Sequence, residues 1–188
     1  MPVLKKIALL PPVIAAAVLV CLLAHASTLV SLDLPELVFM SEAVVVGRVV
    51  KSSSFLEGSR IYTVHEVSVT ESISSDATLD QQKIEIMTLG GKTEHFSQVV
   101  FGEAELKKGS LYLLFLKCRD YHWVPAGMAQ GAYPVIWDES SGEYEVRPAL
   151  INADLVRITA DGIKGARQWI AQYRPLDDVI EQIRSLME

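Results

Sequence analysis

Residues 127–135 read GMAQGAYPV, and two glycines four positions apart in apolar surroundings admit two readings. The stretch is either a loop that cradles an anion or a strand that must bend. A phosphate-binding loop needs a strand, a glycine-rich turn and a helix whose first amides face the anion. Here Gly131 leads into Ala132, Tyr133, Pro134, Val135 and Ile136, a strand-like run, and no Lys-Ser or Lys-Thr pair follows. Gly127 and Gly131 are therefore read as structural, permitting the tight coiling and close backbone approach of a small barrel. Gly90-Gly91 fails the same test, since Lys92-Thr93 follows that pair without the rest of a P-loop before it.

The flanking segments are strand-like as well. LYLLFLKC (111–118) is continuously apolar up to its last residues, which predicts a central strand covered on both faces with Cys118 a buried, inert thiol. Arg119-Asp120 serve as a turn, YHWV (121–124) returns, and QGAYPVIWD (130–138) is a further strand in which Pro134 must take an edge or a bulge. AVVVGRVV (43–50) is too β-branched for a helix and carries a structural Gly47, which predicts a buried strand with a bend or bulge. RIYTVHEVSVTES (60–72) alternates with a slip, Val64 lying on one parity and Val67 and Val69 on the other. An extra residue near His65 and Glu66 would return all three to one face. KIEIMTLGG (83–91) is another strand, HFSQVVFG (95–102) a short strand or extended loop, and SISSDATLDQQ (72–82) a loop.

Helical signals sit near the two ends. SLDLPELVFMSEA (31–43) offers Ser31 or Asp33 as a cap, with Pro35 and Glu36 in the first turn. KGARQWIAQYR (164–174) places Ala166, Trp169, Ile170 and Tyr173 on one helical face. LDDVIEQIRSLME (176–188) does the same with Leu176, Val179, Ile180, Ile183, Leu186 and Met187. The expected architecture is mainly β (α+β): a small antiparallel OB-like barrel with a short N-terminal helix and C-terminal helices over about 160–188.

The first residues set the compartment. Lys5 and Lys6 precede an apolar run from Ile7 to Ala26 that ends in Ala24-His25-Ala26, the pattern of a signal peptide over 1–26 cleaved after Ala26. Pro11 and Pro12 leave an unbroken apolar helix of only about a dozen residues, short of a membrane span. The expected product is periplasmic or secreted, a single domain over 27–188 without a stable span. Its 15 basic and 23 acidic residues then carry a formal charge of −8, against −6 for the whole chain. An acidic chain without a Lys/Arg cluster in sequence predicts no nucleic-acid partner. Once Cys21 leaves with the signal only Cys118 remains, so no intramolecular disulfide holds the fold.

Catalytic and metal patterns are scarce. His65, His95 and His122 are joined by no HxH, HExxH or CxxC, so no metal site and no cofactor are expected. Cys118 and His122 could form a nucleophile and base, but pairing Cys118 with Tyr121 and Lys117 with His122 across a two-residue turn puts them on opposite faces. Asp177-Asp178 and Glu103-Glu105 read as solvated charges.

SEAVVVGRVV, IYTVHEVSVTES, TLGG, GSLYLLFLK, GMAQGAYPV and PLDDVIEQIRSL, in that order, resemble a group of exported bacterial proteins of unassigned function and, more distantly, OB-like netrin and TIMP-like modules. The resemblance implies a non-enzymatic binding module, protein-binding or inhibitor-like, for an unknown protein or small ligand. It points to a freed N-terminus, Ser27 and Thr28, as a partner contact, although the Cys-x-Cys of TIMP-like inhibitors is missing there. The alternative is a secreted hydrolase using Cys118 or scattered carboxylates.

Overall fold

The computed structural model describes residues 28–73, 79 and 82–188; the segment read as a signal peptide, Ser27 and most of the 72–82 loop lie outside the described residues. After β1 (Thr28–Val30), α1 (Leu34–Met40) begins with a reciprocal cap. The Glu36 amide donates to Asp33 Oδ1 at 3.1 Å and the Asp33 amide to Glu36 Oε2 at 2.7 Å, with Pro35 in the first turn.

Five strands then close a barrel. β2 (Ala43–Glu57), β3 (Arg60–Ser72) and β4 (Lys83–Leu89) form an antiparallel meander, and a minor hairpin of β5 (Gly91–Lys92) and β6 (Ser97–Gln98) follows. β7 (Leu111–Arg119) returns antiparallel to β2. β8 (His122–Pro125) completes the ring between β7 and β4, parallel to β4 at Ile86↔Trp123. Around the ring the strands run first, second, third, fifth, fourth, an OB-like order.

The unbroken apolar runs of β2 and β7 follow from burial on both faces. Val45, Leu114 and Leu116 fill the barrel with Val67, Val69, Ile84 and Ile86. Val44, Val46, Leu113 and Phe115 face outward, beneath Leu34 and Leu37 of α1 and the apolar stripe of α2 (Leu176–Met187).

The GMAQG stretch is where the chain changes its place along β7. β8 pairs with the C-terminal half of β7 and β9 (Ala132–Asp138) with the N-terminal half of the same edge. Between them the Ala126 amide donates to the Phe115 carbonyl at 2.8 Å, Gly127 takes φ 66°, and Met128–Gly131 make one 3-10 turn. A Cβ on Gly131 would strike the Ala126 carbonyl, and one on Gly127 the Leu32 side chain. The turn buries Gln130, which donates to the Val30 carbonyl at 2.9 Å and accepts the Leu32 amide at 2.8 Å, tying β1 to the barrel.

Beyond the barrel, β10 (Glu143–Val146) and β13 (Arg174–Pro175) extend the sheet from β9. β11 (Asp154–Thr159) and β12 (Gly162–Gly165) form a hairpin on which β1 lies parallel, Thr28↔Asp154 to Val30↔Val156.

Several local expectations are corrected. KGARQWIAQYR forms no helix: Lys164 and Gly165 end β12, and residues 166–173 run irregularly. Ile170 is buried and Trp169 packs on the core, but tertiary partners take the backbone. The Ala166 amide donates to the Leu155 carbonyl at 2.8 Å and the Ser31 hydroxyl to the Arg167 carbonyl at 2.9 Å. The expected bulge at His65 and Glu66 is also absent. β3 alternates without a break, burying Ile61, Thr63, His65, Val67 and Val69 while Val64 points outward. The register shifts lie instead at Val46/Gly47 and Val49/Lys51. The β7–β8 turn is Asp120-Tyr121, at φ 50° and 66°, so Cys118 pairs with Trp123 and Arg119 with His122. Cys118 is exposed rather than buried, because the end of β7 runs past the core after Leu116.

Candidate functional site

Where the sheet extends beyond the barrel, the start of β7 and strands β9 and β10 floor a groove of about 680 Å³. Its walls carry Arg48, Lys107 and Arg147 together with Trp137, Tyr144 and Tyr173, and no carboxylate. Trp137 and Tyr144 are directly cross-strand and meet edge to face, with centroids 5.0 Å apart and both rings well exposed. Arg48 is fixed by its Nη1, which donates to the Gly109 carbonyl at 2.7 Å. Arg147 is fixed at its backbone, whose amide donates to the Pro134 carbonyl at 2.8 Å, and its guanidinium lies 4.6 Å over the Tyr173 ring. The Nε of Arg147 is buried and has no hydrogen-bond partner among the described residues. Native proteins rarely leave such a donor unused, because its desolvation goes uncompensated.

A second cavity, of about 350 Å³, opens at one end of the barrel against the loop that follows β4. The barrel contributes a polar layer in place of the apolar one below it. Ser52 Oγ meets His65 Nδ1 at 2.8 Å and His65 Nε2 meets Thr88 Oγ1 at 3.0 Å. Thr63 is bonded to Ser54 at 2.8 Å and donates to the Gly90 carbonyl at 2.7 Å. Burial holds the His65 imidazole down at about 4, so it is neutral near pH 7. Glu103 lies across the cavity. Burial pushes its carboxyl above the usual range, opposed by the amides of Ala104 and Leu89.

The residues singled out in the sequence are scattered with respect to both places. Thr28 is exposed in β1 and lines neither cavity, and Ser27 lies outside the described residues. Gly47 sits at a register shift, where a Cβ would strike Val67. His95 and His122 are exposed and apart from His65, and among the described residues no three His, Cys, Asp or Glu side chains are placed to hold a metal. Cys118 and His122 occupy neighbouring cross-strand pairs and so face opposite sides of the sheet. Glu103 and Glu105, read as solvated charges, line the barrel-end cavity.

Sequence reasoning missed Arg147, Arg48 and Lys107 as a set, because they belong to three separate segments. A linear signal existed only for Trp137 and Tyr144, which flank the DESSGE turn at positions a hairpin makes opposite. No family model, no curated protein and no solved structure matches the chain. What the geometry defines is an OB-like barrel with an extended sheet that carries a cationic, aromatic groove.

Proposed function

We propose that the protein is a non-enzymatic binding module whose groove holds an acidic, extended segment of a partner protein. The observation that carries this reading is the convergence of Arg48, Lys107 and Arg147 with no opposing carboxylate in the wall, on a chain of formal charge −6. A carboxylate of the partner would pair with the guanidinium of Arg147, which lines the groove, in a charge-assisted bond. Trp137, Tyr144 and Tyr173 supply the rigid apolar area on which affinity concentrates. A protein segment is favoured over a nucleic acid because the chain as a whole is acidic, with a formal charge of −6.

Export through the 1–26 leader to the periplasm or the exterior belongs to the same reading, as does the netrin/TIMP-like resemblance; the five-strand barrel is compatible with an OB-like one. A contact through Ser27 and Thr28 has weaker support, since Thr28 lines neither cavity. A hydrolase built on Cys118 would need a base, and His122 faces away from it.

The test is a peptide library presented to the full chain. Selected sequences should be rich in Asp and Glu, and Arg147→Ala should weaken their binding by about tenfold or more. Selection without an acidic preference overturns the reading. Tighter, steeply salt-dependent binding of a single-stranded oligonucleotide, lost in the same variant, replaces it with a nucleic-acid function.

A further inference from the structure

The barrel-end cavity presents charges of both signs that do not neutralise each other. Glu103, Glu105 and Lys92 line it, and Lys107 lines both it and the groove. Among the described residues neither Glu103 nor Lys92 nor Lys107 takes part in an ion pair within 4.0 Å. The Glu103 carboxylate has amide donors, the Ala104 N–H at 3.1 Å among them, and no cation. A partly buried carboxylate without a counter-charge costs stability, and such groups concentrate where a ligand completes them.

The ligand class follows by elimination on charge. A simple anion entering the cavity meets Glu103 and Glu105. A simple cation meets the lysines. A neutral molecule further dehydrates the carboxylate without compensating it. A molecule that carries an ammonium and a carboxylate close together satisfies both ends at once. The walls suit its uncharged remainder: Thr63 and Thr88 present hydroxyls, while Gly90 and Gly91 present backbone. A Cβ on Gly91 would strike Thr63 and Ser54, so the hydroxyl layer depends on the missing side chain. A volume of about 350 Å³ lies at the small end of ligand sites and suits a free amino acid.

We propose that this cavity binds a small zwitterion, a free amino acid, with its ammonium on Glu103, its carboxylate toward Lys92 and Lys107, and its polar remainder beside Thr63 and Thr88. The proposal shares Lys107 with the acidic-peptide groove and otherwise rests on a separate cavity.

The experiment is a titration of the isotope-labelled full chain, followed through its amide resonances, with the free neutral amino acids beginning with L-glutamine. N-acetyl-L-glutamine, which lacks the cation, and L-glutaminamide, which lacks the anion, accompany it. At least one free amino acid should bind at millimolar or lower concentration and move amides of residues 88–107. Blocking either charge of that ligand should weaken binding by about tenfold, the scale of removing one ionic interaction. Glu103→Gln should weaken it similarly while the spectrum stays that of a folded chain, and Phe39→Ala, on the exposed side of α1, should bind as the unaltered protein does. The proposal is overturned if no free amino acid moves those amides, if a blocked derivative binds as tightly as its parent, or if Glu103→Gln retains full affinity.

Discussion

His65 Nε2 lies 3.0 Å from Thr88 Oγ1 inside the barrel, while its Nδ1 meets the Ser52 hydroxyl at 2.8 Å, so both ring nitrogens are engaged by hydroxyl groups. Burial keeps this imidazole neutral down to about pH 4, whereas in the unfolded chain it gains a proton near 6.5. The unfolded state therefore takes up the proton first as pH falls. Stability from this group is complete above pH 6.5, declines between 6.5 and 4, and changes no further below 4. The loss is on the order of 3 kcal/mol at about 1.4 kcal/mol per pH unit. Chemical denaturation of wild type and His65→Gln across that window checks it. The two pH slopes should differ by this amount, and parallel slopes would show that His65 is freely protonated in the fold.

Tyr133 is completely buried, its ring edge to face with Phe115 and Trp169, and its hydroxyl has no partner among the described residues. Tyr133→Phe removes an unsatisfied donor and keeps the rings. It should raise stability by about 1 kcal/mol in a denaturant titration. A loss of stability would mean that the hydroxyl has found water.

Ile183 is fully buried on the inner stripe of α2. Ile183→Asp should cost about 4 kcal/mol, through an unpaired charge in the core. An unchanged melting temperature would make the helix a detachable arm.

Gly131 and Gly142 separate crowding from backbone conformation. Gly142 has φ 72° and open space around it, whereas Gly131 is crowded by the carbonyls of Ala126 and Phe115. Gly142→Ala should cost about 1 kcal/mol, the expense of a left-handed residue. Gly131→Ala should cost on the order of 3 kcal/mol, because backbone must move. Equal Tm changes in the two variants would rule out the tight approach of Gly131 to Ala126 and Phe115.

Cys118 is exposed at the β7–β8 tip. A small thiol reagent should modify it in the native protein nearly as fast as in the unfolded one. Rapid labelling would therefore report exposure alone and lend nothing to a cysteine enzyme, while protection would place the thiol back under the sheet.

By itself the sequence determined what neighbouring residues decide among themselves. The cap at Asp33 with Pro35 and Glu36 specifies α1, the spacing of Val179, Ile180 and Ile183 specifies α2, and the unbroken run of β7 announces burial on both faces. These signals act within a few residues, through dihedral preference, local hydrogen bonds and side-chain period. Only the tertiary structure decided the rest. Trp169 and Ile170 turn inward, yet the carbonyl of Leu155 and the hydroxyl of Ser31 hold their segment out of a helix. The parity of Val64 suggested a bulge because Thr63 and His65 look like surface residues, until Ser52, Ser54 and Thr88 arrive from adjacent strands to satisfy them. Arg48, Lys107 and Arg147 meet only because strand order brings three distant segments to one groove. A polar group's burial cost and a charge's field depend on what stands opposite in space, and strand register sets that only once the barrel has closed.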